Sequence, residues 1–157
     1  MRVMRQDLLD ALNAPDPLKK IEAIRAIGGL GADGAFAARG LAAALRDDGY
    51  ANDYGLDDYV SVAESAAQAL AHIGPPALPA LLDGLSDDTV FDYPVKCYDQ
   101  GAYIGDYASR TMRVSELAQD ALRRMIHKNP RLVDVIAELG KTASDEDVRL
   151  WVKMLGN

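Results

Sequence analysis

Apolar residues recur along this chain at helical spacing, in several similar passages. In Asp16-Pro-Leu-Lys-Lys-Ile-Glu-Ala-Ile-Arg-Ala-Ile-Gly-Gly-Leu-Gly31, the residues Ile21, Ile24 and Ile27, with small Ala23 and Ala26, mark one side of a helix. Asp16 is suited to cap it, Pro17 to occupy its first turn, and Gly31 to stop it. The pattern returns at Val60–Gly74 through Ala66, Ala69, Leu70 and Ile73. It returns again from Val114 through Ala118, Ala121, Leu122 and Met125. A last copy starts at Asp145 and runs to Leu155.

A second apolar helix is expected after each complete copy. Ala37, Leu41 and Leu45 line the first, and Ala77, Leu81 and Leu85 the next, after Pro75-Pro76. Asn129-Pro130 opens the third, which runs through Leu132, Val133, Ile136 and Leu139. Residues Arg5–Leu12 are expected to cover the N-terminal end as a half-repeat. Small residues at fixed places let such helices approach closely, so the alanines carry a packing meaning and no catalytic one. At the other end, Val148, Val152 and Leu155 are expected to pack back onto the third pair. Trp151 is expected either to cover the adjacent helices or to support a homodimer through the C-terminal helix.

These passages resemble HEAT repeats, in particular the short bacterial form shared with phycobilin-lyase-like HEAT proteins. The resemblance rests on Asp16–Gly31 with its partner helix, on Val60–Leu85, and on the copies at Val114–Leu139 and Asp145–Leu155. It implies an all-α fold over residues 1–157. That fold is an α–α superhelix, a right-handed solenoid of about seven to eight helices with two irregular insertions. Members of that class include scaffolds, adaptors and a few enzymes. The resemblance therefore also implies an alternative function, a ligand- or metal-binding protein related to bilin lyases with a pocket between the insertions.

The repeat is broken twice. The matched positions Ala23, Ala66, Ala118 and Val152 lie 43, 52 and 34 residues apart. The longer intervals contain additions at residues 47–59 and 86–107. Insertions at equivalent places in a repeat array emerge on one face, so the two are expected side by side on one edge. Glycines and Pro94 argue against long helices in either, and Val90–Tyr93 or Val95–Tyr98 is expected as a short extended piece.

Composition sharpens this picture. All seven tyrosines lie in the two additions, with ten aspartates and a single cation, Lys96. Their local charge is therefore -9, within a chain whose net charge is -7. Tyrosine offers wide contact area at small entropic cost, and surrounding carboxylates steer basic partners and repel wrong ones. The function expected is that of a small non-catalytic interaction module or adaptor. It binds another protein, with a basic patch, through Tyr50, Tyr54, Tyr93, Tyr98 and Tyr103 as anchors. Asp53, Asp57, Asp92 and Asp99 supply steering and charge-assisted bonds. The same four aspartates are the candidates for an irregular divalent-cation site.

Other chemistry is thin. The acidic balance disfavours nucleic acid. One cysteine, Cys97, permits no internal disulfide and fits a reducing cytoplasm. No stretch approaches 18 uncharged apolar residues, and the N-terminus lacks a signal-like apolar run, so no membrane association is expected. The aspartates do not alternate as in an EF-hand. Gly28-Gly29-Leu30-Gly31 ends a helix instead of opening one, which excludes a phosphate loop. His72 and His127 lie near helix ends in different copies, without neighbours at metal spacing. No catalytic, cofactor-binding or metal-ligating set is therefore assigned.

Overall fold

The computed structural model describes residues 2–52 and 58–156. Eight α-helices fall within them: α1 (Arg2–Leu12), α2 (Pro17–Gly29), α3 (Ala38–Ala44), α4 (Val62–Ile73), α5 (Leu78–Gly84), α6 (Val114–Lys128), α7 (Leu132–Gly140) and α8 (Asp145–Leu155). Two 3-10 segments, Gly31–Ala37 and Pro75–Ala77, lead into α3 and α5. Four strands complete the fold: β1 (Tyr50–Asn52), β2 (Tyr59–Ser61), β3 (Val90–Asp99) and β4 (Ala102–Arg113).

The all-α expectation is corrected by these strands. Helical residues make up 63% and strands 19%, and the fold is mixed α/β with two antiparallel two-stranded sheets. The physical reason lies in the second addition. Gln100 and Gly101 adopt φ values of 50° and 82°, so both central residues of a two-residue turn are left-handed. That is the turn whose twist matches paired strands. The chain on either side then closes a ladder from Asp99↔Ala102 to Val90↔Arg113. In place of a short extended piece at either Val90–Tyr93 or Val95–Tyr98, both stretches belong to one ten-residue strand that runs through Pro94. Pro94 is tolerated there because β3 is hydrogen-bonded to a single neighbour.

The helices start and stop for local reasons. The Asp16 carboxylate accepts the Leu18 N–H at 3.0 Å, and Pro17 opens α2. Ser61 accepts the Glu64 N–H at 3.3 Å and Ser144 the Asp147 N–H at 3.1 Å. Gly31 and Gly74, at φ 58° and 85°, end α2 and α4 in a conformation that side chains with a Cβ rarely adopt.

Helices α2, α4 and α6 pack in succession, and α3 and α5 pack beside them as a second row. The core between the rows is aliphatic and includes Ile21, Ile24, Ile27, Leu41, Leu45, Leu70, Ile73, Leu81, Leu85 and Leu122. Small residues set the spacing. A Cβ on Gly28 would stand 3.2 Å from Ala69, and one on Gly84 2.9 Å from the Ala118 methyl. Ala26, expected on the apolar side of α2, is exposed instead. The C-terminal end also departs from expectation. Trp151, Val148 and Leu155 are half-buried, but Val152 is 66% exposed. No residue of α8 is fully buried.

Candidate functional site: two braced hairpins

Both hairpins leave the helical body from the same kind of turn. After Leu45, the Asp47 carboxylate accepts the Gly49 N–H at 2.8 Å, and Gly49 C=O accepts the N–H of Val62, the first residue of α4. After Leu85, the Asp87 carboxylate accepts the Thr89 N–H at 2.9 Å, and Thr89 C=O accepts the N–H of Val114, the first residue of α6. These are Asx-turns, in which an aspartate imitates a backbone turn. Lys20 holds Asp47 at 2.5 Å, and Arg46 is paired with Asp87. The Thr89 hydroxyl, with the Thr89 N–H and the Arg46 guanidinium, keeps the Asp87 carboxyl below the usual aspartate range against the effect of burial.

The second hairpin is the longer arm. Strand β4 has twelve residues against ten in β3, and the surplus is taken up in register shifts around Cys97. Gly105 lies there at φ 133°, and a Cβ on it would meet the Tyr107 ring at 2.9 Å. At its base the arm is seated in the core. Tyr93 is only 2% exposed and Met112 is buried, while Phe91 is half-buried against the same cluster. Arg110 donates to the Tyr93 hydroxyl at 3.1 Å and lies 3.8 Å from Glu64 on α4. Burial, aided by the Glu64 charge and opposed by Arg110, pushes the Tyr93 phenol above its ordinary value.

The first hairpin braces the second. Asp58 accepts the Tyr59 N–H at 2.8 Å and the Lys96 N–H of β3 at 3.0 Å. The Lys96 ammonium donates to Asn52 and stands 5.0 Å from the Tyr59 ring centre and 5.9 Å from that of Tyr103. The Asp106 carboxylate accepts two phenols, Tyr59 at 2.8 Å and Tyr103 at 2.7 Å. Tyr50 meets the Tyr59 ring edge-on at 5.1 Å and lies 6.4 Å from the Tyr93 ring. Donation to Asp106 is the main reason both Tyr59 and Tyr103 ionise above the free-phenol value, since ionisation would set two negative charges together.

The expected site residues are distributed unevenly. Tyr50, Tyr98 and Tyr103 are exposed on the hairpins, and the Tyr98 and Tyr103 rings stand 5.8 Å apart. Tyr93 is a core residue, so its role is to seat the arm. Asp92 bonds the Thr111 hydroxyl at 2.6 Å near the base, and Asp99 lies at the tip. Seven residues of strand separate them, about 23 Å at about 3.3 Å per residue, so they do not share one ion. Among the described residues no group of three His, Cys, Asp or Glu side chains is placed to hold a metal. Asp53, Tyr54 and Asp57 lie outside the described residues.

The bracing residues Lys96, Asn52, Tyr59 and Asp106 were not among those expected. Their one sequence signal is Lys96 itself, the only cation in two strongly acidic segments. The arm also presents Ile104 and Tyr107, the latter 78% exposed. Cys97 is half-buried, its Sγ 3.6 Å from the Val95 carbonyl. Among the described residues no helix is long and apolar enough to cross a membrane. No protein-family model, curated protein or solved structure matches this chain.

Proposed function

We propose that this protein is a non-catalytic interaction module that binds a partner protein through the distal half of the β3–β4 arm. The observation that carries this reading is the exposure of Tyr98, Tyr103, Ile104 and Tyr107 on an arm that is held rigid at its base and its flank. Apolar side chains left in water on an ordered element are the usual mark of a contact surface. Tyrosines there lose little entropy on binding because their rings are already restrained by one another and by Asp106. Asp99 and Asp106 edge the patch, and the acidic excess of both hairpins favours a partner with a basic surface.

The helical rows serve as the frame in this reading. Their repeated Ala–Leu–Gly text supports kinship with HEAT-like repeats, here with β-hairpins built between the helix pairs. A role as scaffold or adaptor in the cytoplasm accords with the lone cysteine and the absence of any described membrane-crossing helix.

The test is capture from native lysate with the full chain and with a double variant, Ile104→Ser, Tyr107→Ser, compared by quantitative mass spectrometry. These side chains are exposed, so helicity and melting temperature should change little. A partner enriched by the wild type and lost from the variant, sensitive to moderate salt, is the expected result. An identical set of captured proteins from both would reject the arm as the binding surface.

A further inference from the structure

A second surface, on the helices, is acidic at one end and basic at the other. The groove between α4 and α6 is lined on α4 by exposed Gln68 and His72 with half-buried Glu64 and Ala71, and on α6 by exposed Asp120, Arg124, His127 and Lys128. Spacings of three and four residues place each set on one face of its helix. Low-numbered residues of both helices line one end of the intervening groove, and high-numbered residues line the other, so the helices run parallel. The groove is therefore electrically polar along its length. Glu64 and Asp120 flank a narrow part of about 150 Å³. Beyond Gln68 and Arg124 it widens to about 690 Å³ between His72, Arg124, His127 and Lys128. Its floor is made of the short side chains Ala67, Ala71 and Ala121, with buried Met125 below.

Cations near the C-terminal ends of helices favour the helix dipole, and that accounts for their presence. It does not account for their convergence. Arg124, Lys128, His72 and His127 form no hydrogen bond or ion pair among the described residues. Two unneutralised cations, Arg124 and Lys128, thus share one concavity with two imidazoles and an apolar floor, in a chain whose net charge is -7.

We propose that this groove binds a short acidic peptide segment of a partner protein, separately from the hairpin arm. Carboxylates of the segment pair with Arg124 and Lys128, and an apolar side chain between them rests on the alanine floor. The length fits. Eight residues of helix separate Glu64 from His72 and Asp120 from Lys128, about 12 Å at about 1.5 Å per residue. An extended peptide covers that distance in about four residues. At the narrow end Asp120 opposes continuation of a negative chain past Gln68, while Glu64 there is shared with Arg110. That boundary disfavours nucleic acid, whose phosphates continue in both directions and whose binding needs a longer basic track.

The test uses the full chain and a dye-labelled peptide alternating glutamate pairs with leucine, followed by fluorescence anisotropy at low salt. The comparison peptide carries glutamine in place of glutamate. The expected result is saturable binding of the acidic peptide that weakens at least about tenfold in the double variant Arg124→Glu, Lys128→Glu, as for loss of close charge pairs. Both residues are exposed, and circular dichroism confirms that the variant keeps its helices. Tyr107→Ser should leave the binding unchanged, which separates this surface from the arm. Equal binding of the glutamine peptide, or undiminished binding by the charge-reversed variant, overturns the proposal. Displacement of the peptide by a single-stranded oligonucleotide at equal concentration overturns its assignment to peptide.

Discussion

Replacing Tyr93 with alanine tests whether the long hairpin belongs to the core or merely hangs from it. The ring is 2% exposed and sits with Phe91, Met112 and the helices at the base of the arm. A tyrosine buries about 200 Å², which at about 25 cal/mol per Å² corresponds to roughly 5 kcal/mol of transfer free energy. Part of that area belongs to backbone and Cβ and survives the change. Part of the cavity collapses. The expected loss is therefore about 3–5 kcal/mol, in the range of aromatic-to-alanine substitutions in cores. For a chain of this size, about 2–4 °C of melting temperature goes with each kcal/mol. The melting temperature should fall by about 6–20 °C, measured by circular dichroism at the helical minimum. Tyr93→Phe provides the partition. It keeps the ring and removes only the bond from Arg110, so it should cost about 0.5–1.5 kcal/mol. The helical signal is the decisive readout, because it reports the frame and not the arm. An alanine variant whose helices melt within a degree or two of the wild type would refute the seating of the arm in the common core.

Three further outcomes follow from the hairpin chemistry. Asp106→Asn removes the charge that both phenols face, so in the absorbance titration near 295 nm, where Tyr59, Tyr103 and buried Tyr93 all ionise above the ordinary phenol value in the wild type, the contributions of Tyr59 and Tyr103 should move down while that of Tyr93 stays late. A phenol pKa raised by folding contributes stability below pH 10 that is lost as pH rises through the folded value, so the wild type's advantage over Asp106→Asn should disappear in strong alkali. Asp87 has the opposite sign: its carboxyl is held below 3.8, so its contribution is present above that value and lost as pH falls through the folded one. Asp87→Asn should accordingly be less stable than wild type at pH 7, with a difference that shrinks as pH falls below 3.8, by urea titration at each pH. Gly105→Ala places a methyl group against the Tyr107 ring at a positive φ, at a cost of about 1–3 kcal/mol confined to the arm. Amide exchange in β4 should quicken while that in α4 stays unchanged.

The helices were legible because their signals are local. Asp16 caps α2 as expected and α8 spans the expected Asp145–Leu155, while the second copy begins two residues later than its Val60 start, at Val62 after the Ser61 cap. The hairpins were harder to read because their signals are weak singly and non-local together. In β3 the inward residues Phe91 and Tyr93 alternate with Val90 and Asp92, but Pro94 and then the register shifts near Cys97 break the period after about one turn of alternation. The Gln100-Gly101 turn was the sharper clue, since glycine after a polar residue between two tyrosine-rich runs suits a tight hairpin. Lys96 illustrates the limit. Its neighbours Asn52, Tyr59 and Tyr103 come from both hairpins, and only folding brings them within reach. Tyr93 and Tyr103 look alike in sequence, yet one is core and the other surface. The face of the strand decides between them, and register is a tertiary property.

The two hairpins differ in length but share their attachment, and this bears on how such a chain acquires a binding surface. In each, an apolar leucine precedes an aspartate pair, Leu45 with Asp47-Asp48 and Leu85 with Asp87-Asp88. The first aspartate of each pair forms the Asx-turn, and a backbone bond returns the chain to the next helix at Val62 or Val114. Among the described residues between those anchor points, Tyr50–Asn52 pair with Tyr59–Ser61 and Val90–Asp99 with Ala102–Arg113, so the strands find their backbone partners within each hairpin. A self-satisfied insertion of this kind can lengthen without disturbing the rows that carry it. The long arm then gains rigidity from the short one, through Asp58, Lys96 and the two phenols on Asp106. The two segments carry a net charge of -9, and like charges repel. Lys96 offsets part of that repulsion at the point where the hairpins touch. The fold thus separates two demands on the same residues. Tyr93, Phe91 and Met112 meet the demand for burial, and Tyr98, Tyr103, Ile104 and Tyr107 remain available for contact.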